Sequence, residues 1–167
     1  MIYQTARLSI RKLKASDINP LHQMQGNENV MKYTDIPVKS YDEDVLDLQR
    51  VIDFYGKPNN NFWIWAVVRK EDNAFLGTIA LIYEDKNKAE VGFRFIEKYW
   101  NKGYGFETLL GLIKYAVRIG CKELLAVVYA KNIGSEIILR KAGFTFVKEY
   151  ICTKTKLVDC LYTLVLK

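Results

Sequence analysis

Between Ala89 and Tyr129 the chain alternates, turns on glycine, becomes helically periodic and then runs apolar. Ala89 to Ile96 reads AEVGFRFI, with Val91, Phe93 and Phe95 on one face and Glu90, Gly92 and Arg94 on the other. The turn Lys102-Gly103-Tyr104-Gly105 follows. Phe106, Leu109, Leu110, Ile113 and Val117 then recur at helical spacing up to Gly120, a residue suited to cap a helix C-terminus. Glu123 to Tyr129 is an almost unbroken apolar run, the pattern of a strand covered on both faces. A strand, a helix and a second strand of one sheet require a right-handed crossover. These two strands are therefore expected to be parallel neighbours.

The remaining segments surround that unit. Thr5 to Lys12 alternates as a strand with one wet face, and Ser16-Asp17 opens a helix expected to reach about Gln25. Val45, Leu48, Ile52 and Tyr55 mark a second helix over Tyr41–Tyr55, with Asp42, Glu43 and Asp44 in its first turn. Phe62–Arg69 and Phe75–Tyr83 read as strands joined by a hairpin turn at Glu71-Asp72-Asn73. Ile133–Ala142 reads as a short helix, and Thr145–Thr153 and Val158–Leu166 as two closing antiparallel strands. The expected fold is α+β: a mixed, mostly antiparallel sheet of six to seven strands flanked by about four helices, in one domain over residues 1–167. An exposed final strand would offer an edge for pairing in a dimer.

Two features carry chemistry. A two-glycine turn that opens a helix leaves several backbone N–H groups unpaired and aligned, which suits a pyrophosphate. Gly103 and Gly105 remove Cβ atoms where an anion would approach, and both tolerate positive φ. The run is neither a dinucleotide-binding fingerprint, since Thr108 stands where a third glycine is needed, nor a P-loop. The second feature is Asn132-Ile-Gly-Ser135 followed by Arg140-Lys141-Ala-Gly-Phe144, directly after the apolar strand. Asn132 can cap a helix whose first turn holds Ser135, and alone that is the simpler reading.

Together these features resemble the GNAT-type N-acetyltransferases. The matching residues are Glu90-Val-Gly-Phe93, Trp100-Asn-Lys-Gly-Tyr-Gly-Phe-Glu107 and Asn132-x-x-Ser135 with Lys141-x-Gly143-Phe144. The opening Thr5-Ala-Arg7-Leu-Ser-Ile-Arg11, followed by Asp17, is similar to the branch of ribosomal-protein alanine acetyltransferases (RimJ/RimL-like). The resemblance implies a sheet splayed open between Ala89–Ile96 and Glu123–Tyr129, with acetyl-CoA in the gap, and acetyl transfer to a primary amine without a metal. It implies that the backbone of Phe95 and Ile96 pairs with the pantetheine arm. The N–H groups of Lys102, Gly103, Tyr104, Gly105, Phe106 and Glu107 hold the pyrophosphate, and Lys102 offsets cofactor charge. A backbone N–H of the Ala89–Ile96 strand polarises the thioester carbonyl. Asn132 contacts pantetheine or acceptor, Glu90 acts as base toward the amine, and Ser135 donates to the departing thiolate, with Tyr129 and Tyr104 in reserve. The chain departs from the family pattern at Trp100, where Gln or Arg is usual, and at Leu139, where many members carry a tyrosine acid.

The acceptor stays open among a peptide N-terminus, a small amine such as a drug or polyamine, and, with Leu139 in mind, no acceptor at all in a CoA-binding module. Asp35, Asp42, Glu43, Asp44 and Asp47 fall on the expected acceptor side, where they either attract a basic acceptor or serve helix dipoles and solvent. The net charge of +6 suits a phosphorylated partner, but no nucleic-acid recognition motif accompanies it. Three cysteines without CxxC spacing and a single histidine, His22, argue against a disulfide framework or a zinc site. The N-terminus lacks a signal-peptide core and no run approaches membrane-spanning length, so a cytoplasmic protein, monomeric or homodimeric, is expected.

Overall fold

A computed structural model describes residues 1–167. In chain order the elements are β1 (Tyr3–Gln4), β2 (Leu8–Lys12), α1 (Ile18–Gln25), α2 (Glu28–Met31), α3 (Tyr41–Phe54), β3 (Phe62–Arg69), β4 (Phe75–Tyr83), β5 (Lys88–Phe95), α4 (Tyr104–Arg118), β6 (Glu123–Tyr129), α5 (Ile133–Lys141), β7 (Thr145–Ile151) and β8 (Val158–Val165). The α+β class and the mixed sheet match expectation, but the sheet has eight strands and the helices number five. The additions are β1, of two residues, and α2, of four. Neither is long enough to write a period into the sequence.

The sheet order is β1-β2-β3-β4-β5-β6-β8-β7, and every neighbouring pair is antiparallel except β5–β6. The parallel pair foreseen from the crossover is present, and it is short. Only Lys88, Ala89 and Glu90 pair with Glu123, Leu124 and Leu125. Beyond that the strands part, and the sheet opens toward their C-terminal ends. The closing hairpin corrects one expectation: β8 lies inside the sheet between β6 and β7, and β7 is the edge.

Two apolar layers sandwich the sheet. On one face Tyr3, Leu8, Trp65, Val91, Leu124 and Tyr162 pack with Leu109, Leu112 and Ala116 of α4 and Leu139 of α5. On the other, Ala66, Val68, Phe75 and Ile96 pack with Leu21 and Met24 of α1 and Leu48 and Val51 of α3. The buried stripe of α4 is Tyr104, Thr108, Leu109, Leu112 and Ala116; Leu110 and Val117, expected inside, are exposed. The helix is apolar on so much of its circumference that spacing left its orientation open by one position. Packing decides it, because Gly111 lies against the ring of Tyr3 and the methyl of Thr5, where no side chain fits.

Candidate functional site

The turn after β5 is shaped by two residues in the left-handed region, Asn101 at φ 58° and Gly103 at φ 77°. The first is tolerable for asparagine and the second natural for glycine. Trp100 fastens the entry, its indole N–H donating to the Phe95 carbonyl at 2.8 Å. From Asn101 through Phe106, no backbone N–H donates to any acceptor in the protein. Six successive free donors at the positive end of a fifteen-residue helix are an arrangement suited to an anion. Glu107 stands apart from that set, because its N–H donates to the Gly103 carbonyl at 3.1 Å.

The Glu107 side chain also has a different task from the one expected. Its carboxylate accepts from the Thr5 hydroxyl at 2.6 Å, the Arg7 N–H at 2.8 Å and Arg7 Nε at 2.6 Å. Burial works to raise this carboxyl, but the bonds from Thr5 and Arg7 outweigh it and hold it below the usual carboxylate range. Arg7 also donates to the Lys102 carbonyl at 3.1 Å and lies over the Tyr104 ring. The N-terminal segment therefore clamps the turn from behind. The buried Tyr104 side chain belongs to this scaffold, its hydroxyl accepting from Arg69 at 3.2 Å. Lys102 is exposed, and with Lys98 and Arg69 it surrounds Tyr99. Arg7 is paired with Glu107 and Arg69 with Asp72, so Lys98 and Lys102 supply the unpaired positive charge beside the turn.

Gly105 serves a different end from Gly103. A Cβ there would lie 2.9 Å from Ile138 Cδ1 and 3.6 Å from Phe95 Cε2, so its bareness lets α4 close on α5 and β5. Its φ is not positive.

The slot between β5 and β6 begins beyond Val91. Ile96 N–H donates across to Leu76 at 2.9 Å, so strand alternation turns the N–H groups of Phe93 and Phe95 the other way, into the slot. Of the expected pair Phe95 and Ile96, only Phe95 keeps a free N–H; Ile96 is spent in the sheet and its side chain is buried. Asn132 follows the end of β6 as the turn follows the end of β5, so the two flank the same opening. Asn132 Oδ1 accepts from Ser135 N–H at 3.2 Å, capping α5; this leaves its amide N–H groups and the half-buried Ser135 hydroxyl without a partner in the protein. Leu139 is fully buried in the core, so no proton donor comes from that position.

On the sheet face away from α4, Glu90 lines a cavity of about 380 Å³ with Leu125, Val127, Leu161, Lys148 and Tyr150. Burial raises the Glu90 carboxyl above its ordinary value, and Glu84 and Asp35 add to that. The other acidic residues of the expected cluster disperse. Glu43 caps α3 with Ser40, Asp47 pairs with Lys39, and Asp44 is fully buried against His22 and Gln25. Asp35 alone of the group bears on Glu90, held at 2.8 Å by Lys154 of the β7–β8 hairpin.

The family profile described as an acetyltransferase (GNAT) domain matches residues 7–145, which spans the N-terminal clamp, the turn, the splayed strands and α5. The chain is a member of the GNAT acetyltransferase family. An uncharacterized N-acetyltransferase, p20, from Bacillus licheniformis is 25% identical over 164 residues, covering 93% of this chain and 90% of that one. The crystal structure of a GNAT-family acetyltransferase from Bacillus anthracis superposes with TM-score 0.86 at 21% identity, covering 98% of this acetyltransferase and 97% of that chain. RimL, the ribosomal L7/L12 alpha-N-protein acetyltransferase, solved in complex with coenzyme A, superposes with TM-score 0.85 at 18% identity over 97% and 96% of the two chains. The structural likenesses confirm the fold, and family membership makes this chain an acetyl-CoA-dependent acyltransferase. No helix of the acetyltransferase is long and apolar enough to cross a membrane.

Proposed function

We propose that this acetyltransferase, a single GNAT domain, transfers acetyl from acetyl-CoA to the α-amine of a peptide or protein N-terminus, within a ternary complex in the cytoplasm. The observation that carries the reading is the placement of Glu90, a carboxyl of raised proton affinity, in a cavity beside the splay of β5 and β6. Similarity to RimL, an alpha-N-protein acetyltransferase by description, supports an α-amine as acceptor.

The thioester of acetyl-CoA supplies an already activated acyl group. The protein's share is binding, orientation and proton handling. The free N–H groups of Asn101 to Phe106, with Lys102 beside them, suit the diphosphate. The slot-facing N–H groups of Phe93 and Phe95 suit the pantetheine amides and the thioester carbonyl. Asn132 offers amide donors at the other lip of the slot. An α-amine has an ordinary pKa near 8, so at neutral pH it needs only a modest base, and Glu90 takes that proton. The C–N bond forms as the C–S bond breaks, and the Ser135 hydroxyl lies at the start of α5 to donate toward the departing sulfur. Tyr129, at the end of β6, is the second choice for that donor.

Thiol release from acetyl-CoA, followed across N-terminal peptides and small amines, tests the reading. We expect release with peptides bearing a free α-amine and little with N-blocked peptides. Release with alkyl amines alone would place the acceptor among small molecules instead. Sedimentation of the pure protein would separate monomer from homodimer.

A further inference from the structure

Glu90, Gly92 and Arg94 stand in a row on the sheet face toward α1, and Gly92 is exposed although β5 is a central strand. Its partner on β4 is Ala80. Two small residues thus floor a trough with a carboxylate at one end and a guanidinium at the other. Four residues of strand separate the end Cα atoms by about 13 Å. Both end side chains are long enough to close on a small group lying over Gly92.

Arg94 is held in an unusual way. Nη1 donates to Gln25 Oε1 at 3.2 Å, and no carboxylate lies within ion-pair distance of the guanidinium. Nε and Nη2 bond to nothing in the protein yet are not sealed from solvent. Burial presses its proton affinity down, opposed by Asp35 and Asp44 at longer range. A largely enclosed guanidinium with one neutral partner has donor capacity to spare. The partner itself is fixed. Gln25 Nε2 donates to Asp44 Oδ1 at 2.6 Å, and Asp44 Oδ2 meets His22 Nδ1 at 2.7 Å. Because the Gln25 amide must turn its NH2 to that buried carboxylate, it can only turn its oxygen to Arg94.

We propose that Arg94, oriented by the His22–Asp44–Gln25 chain, reads the acceptor by binding a carbonyl or carboxylate oxygen next to the amine that Glu90 receives. The acceptor class is then the α-amino carbonyl compound, meaning a peptide N-terminus or amino acid, and a polyamine is disfavoured because its second ammonium would lie toward the guanidinium. This rests on the acetyl-transfer reading and specifies its substrate. A charge-assisted hydrogen bond of this kind is worth about ten- to a hundredfold in affinity.

The test titrates the full chain, saturated with coenzyme A, with the tripeptide Ser-Ala-Ala and with putrescine by calorimetry. For the wild type the tripeptide binds more tightly. In Arg94→Ala its affinity falls ten- to a hundredfold while putrescine binding holds or improves. Arg94→Lys, which keeps the charge but not the planar fork, falls between, and Gln25→Ala weakens the tripeptide selectively and less. Equal weakening of both ligands, an unchanged tripeptide affinity in both Arg94 variants, a wild-type preference for putrescine, or no binding of either ligand would each overturn the proposal. Thiol release separates the two claims. Transfer to diamines alone leaves the acetyltransferase reading intact and this inference refuted. Arg94-dependent tripeptide binding without transfer does the reverse.

Discussion

The proposed proton transfer falls on Glu90. Its carboxyl is raised first by burial and then by Glu84 and Asp35, so a base used at neutral pH has an acid limb it must clear. Asp35→Asn removes one raising charge. The acid limb of kcat/KM should move to lower pH, and a profile measured from pH 5 to 9 checks it. Glu90→Gln should lose about 10²- to 10⁴-fold in kcat, the usual worth of a positioned base. Stability should move the other way. A carboxyl raised in the folded chain favours folding below its unfolded value, near 4.3, and loses that advantage as pH climbs through the folded value. Glu90→Gln should therefore melt no lower than wild type at pH 7. Glu90 and Asn132 were legible in the sequence because each sits at a fixed offset within one strand or cap. Asp35 was readable only as one of an acidic group on the acceptor side and Arg94 only as a neighbour of Glu90 on one strand face, since their contacts with Lys154 and Gln25 form only after the closing hairpin and α1 fold over β5.

Among the elements, the turn and helix α4 depend on contacts from segments distant in sequence, the N-terminal stretch and α5. Glu107 ties β5's exit to the segment before β2 through Thr5 and Arg7. Glu107→Ala should destabilise the protein by about 2 kcal/mol, the scale of a hydrogen-bonded charge, and weaken coenzyme A binding by loosening the turn. Its pH signature follows from a lowered carboxyl: the stabilisation is present above the unfolded value and is lost as pH falls through the folded one. Denaturant midpoints at pH 7 and pH 3 should differ less in the variant than in wild type. Gly105→Val should wedge α4 from α5, and Ile138→Ala should partly restore its thermal midpoint, since Ile138 Cδ1 occupies the space of the new side chain. Unchanged stability in Gly105→Val would contradict that packing. The turn was legible as a motif, yet its two glycines looked alike. Sequence spacing cannot tell a glycine that needs positive φ from one that makes room for a neighbouring helix, and the structure assigns the first to Gly103 and the second to Gly105.

The whole molecule is a sheet in two parts, β1 to β5 and β6-β8-β7, joined by three rungs of parallel pairing and by the crossover through α4. The crossover alone was enough to read the parallel pair from sequence. The placement of β8 inside and β7 outside was not readable, because both strands alternate and either could dock on β6. What decides it is that Cys160 and Tyr162 of β8 are buried while every residue of β7 is exposed. A ligand lying in the slot bridges the two parts and binds only the folded chain. Coenzyme A at a hundred times its Kd should therefore add about 2.7 kcal/mol of stability, read as a rise in thermal midpoint. In the proposed complex the unpaired N–H groups of Asn101 to Phe106 hold the diphosphate. Amide-resolved NMR titration of the labelled protein with coenzyme A measures it directly. The largest shifts should fall on Asn101 to Phe106, with a second set at Phe93 and Phe95. Shifts that leave Asn101 to Phe106 still while gathering elsewhere on the surface would contradict it.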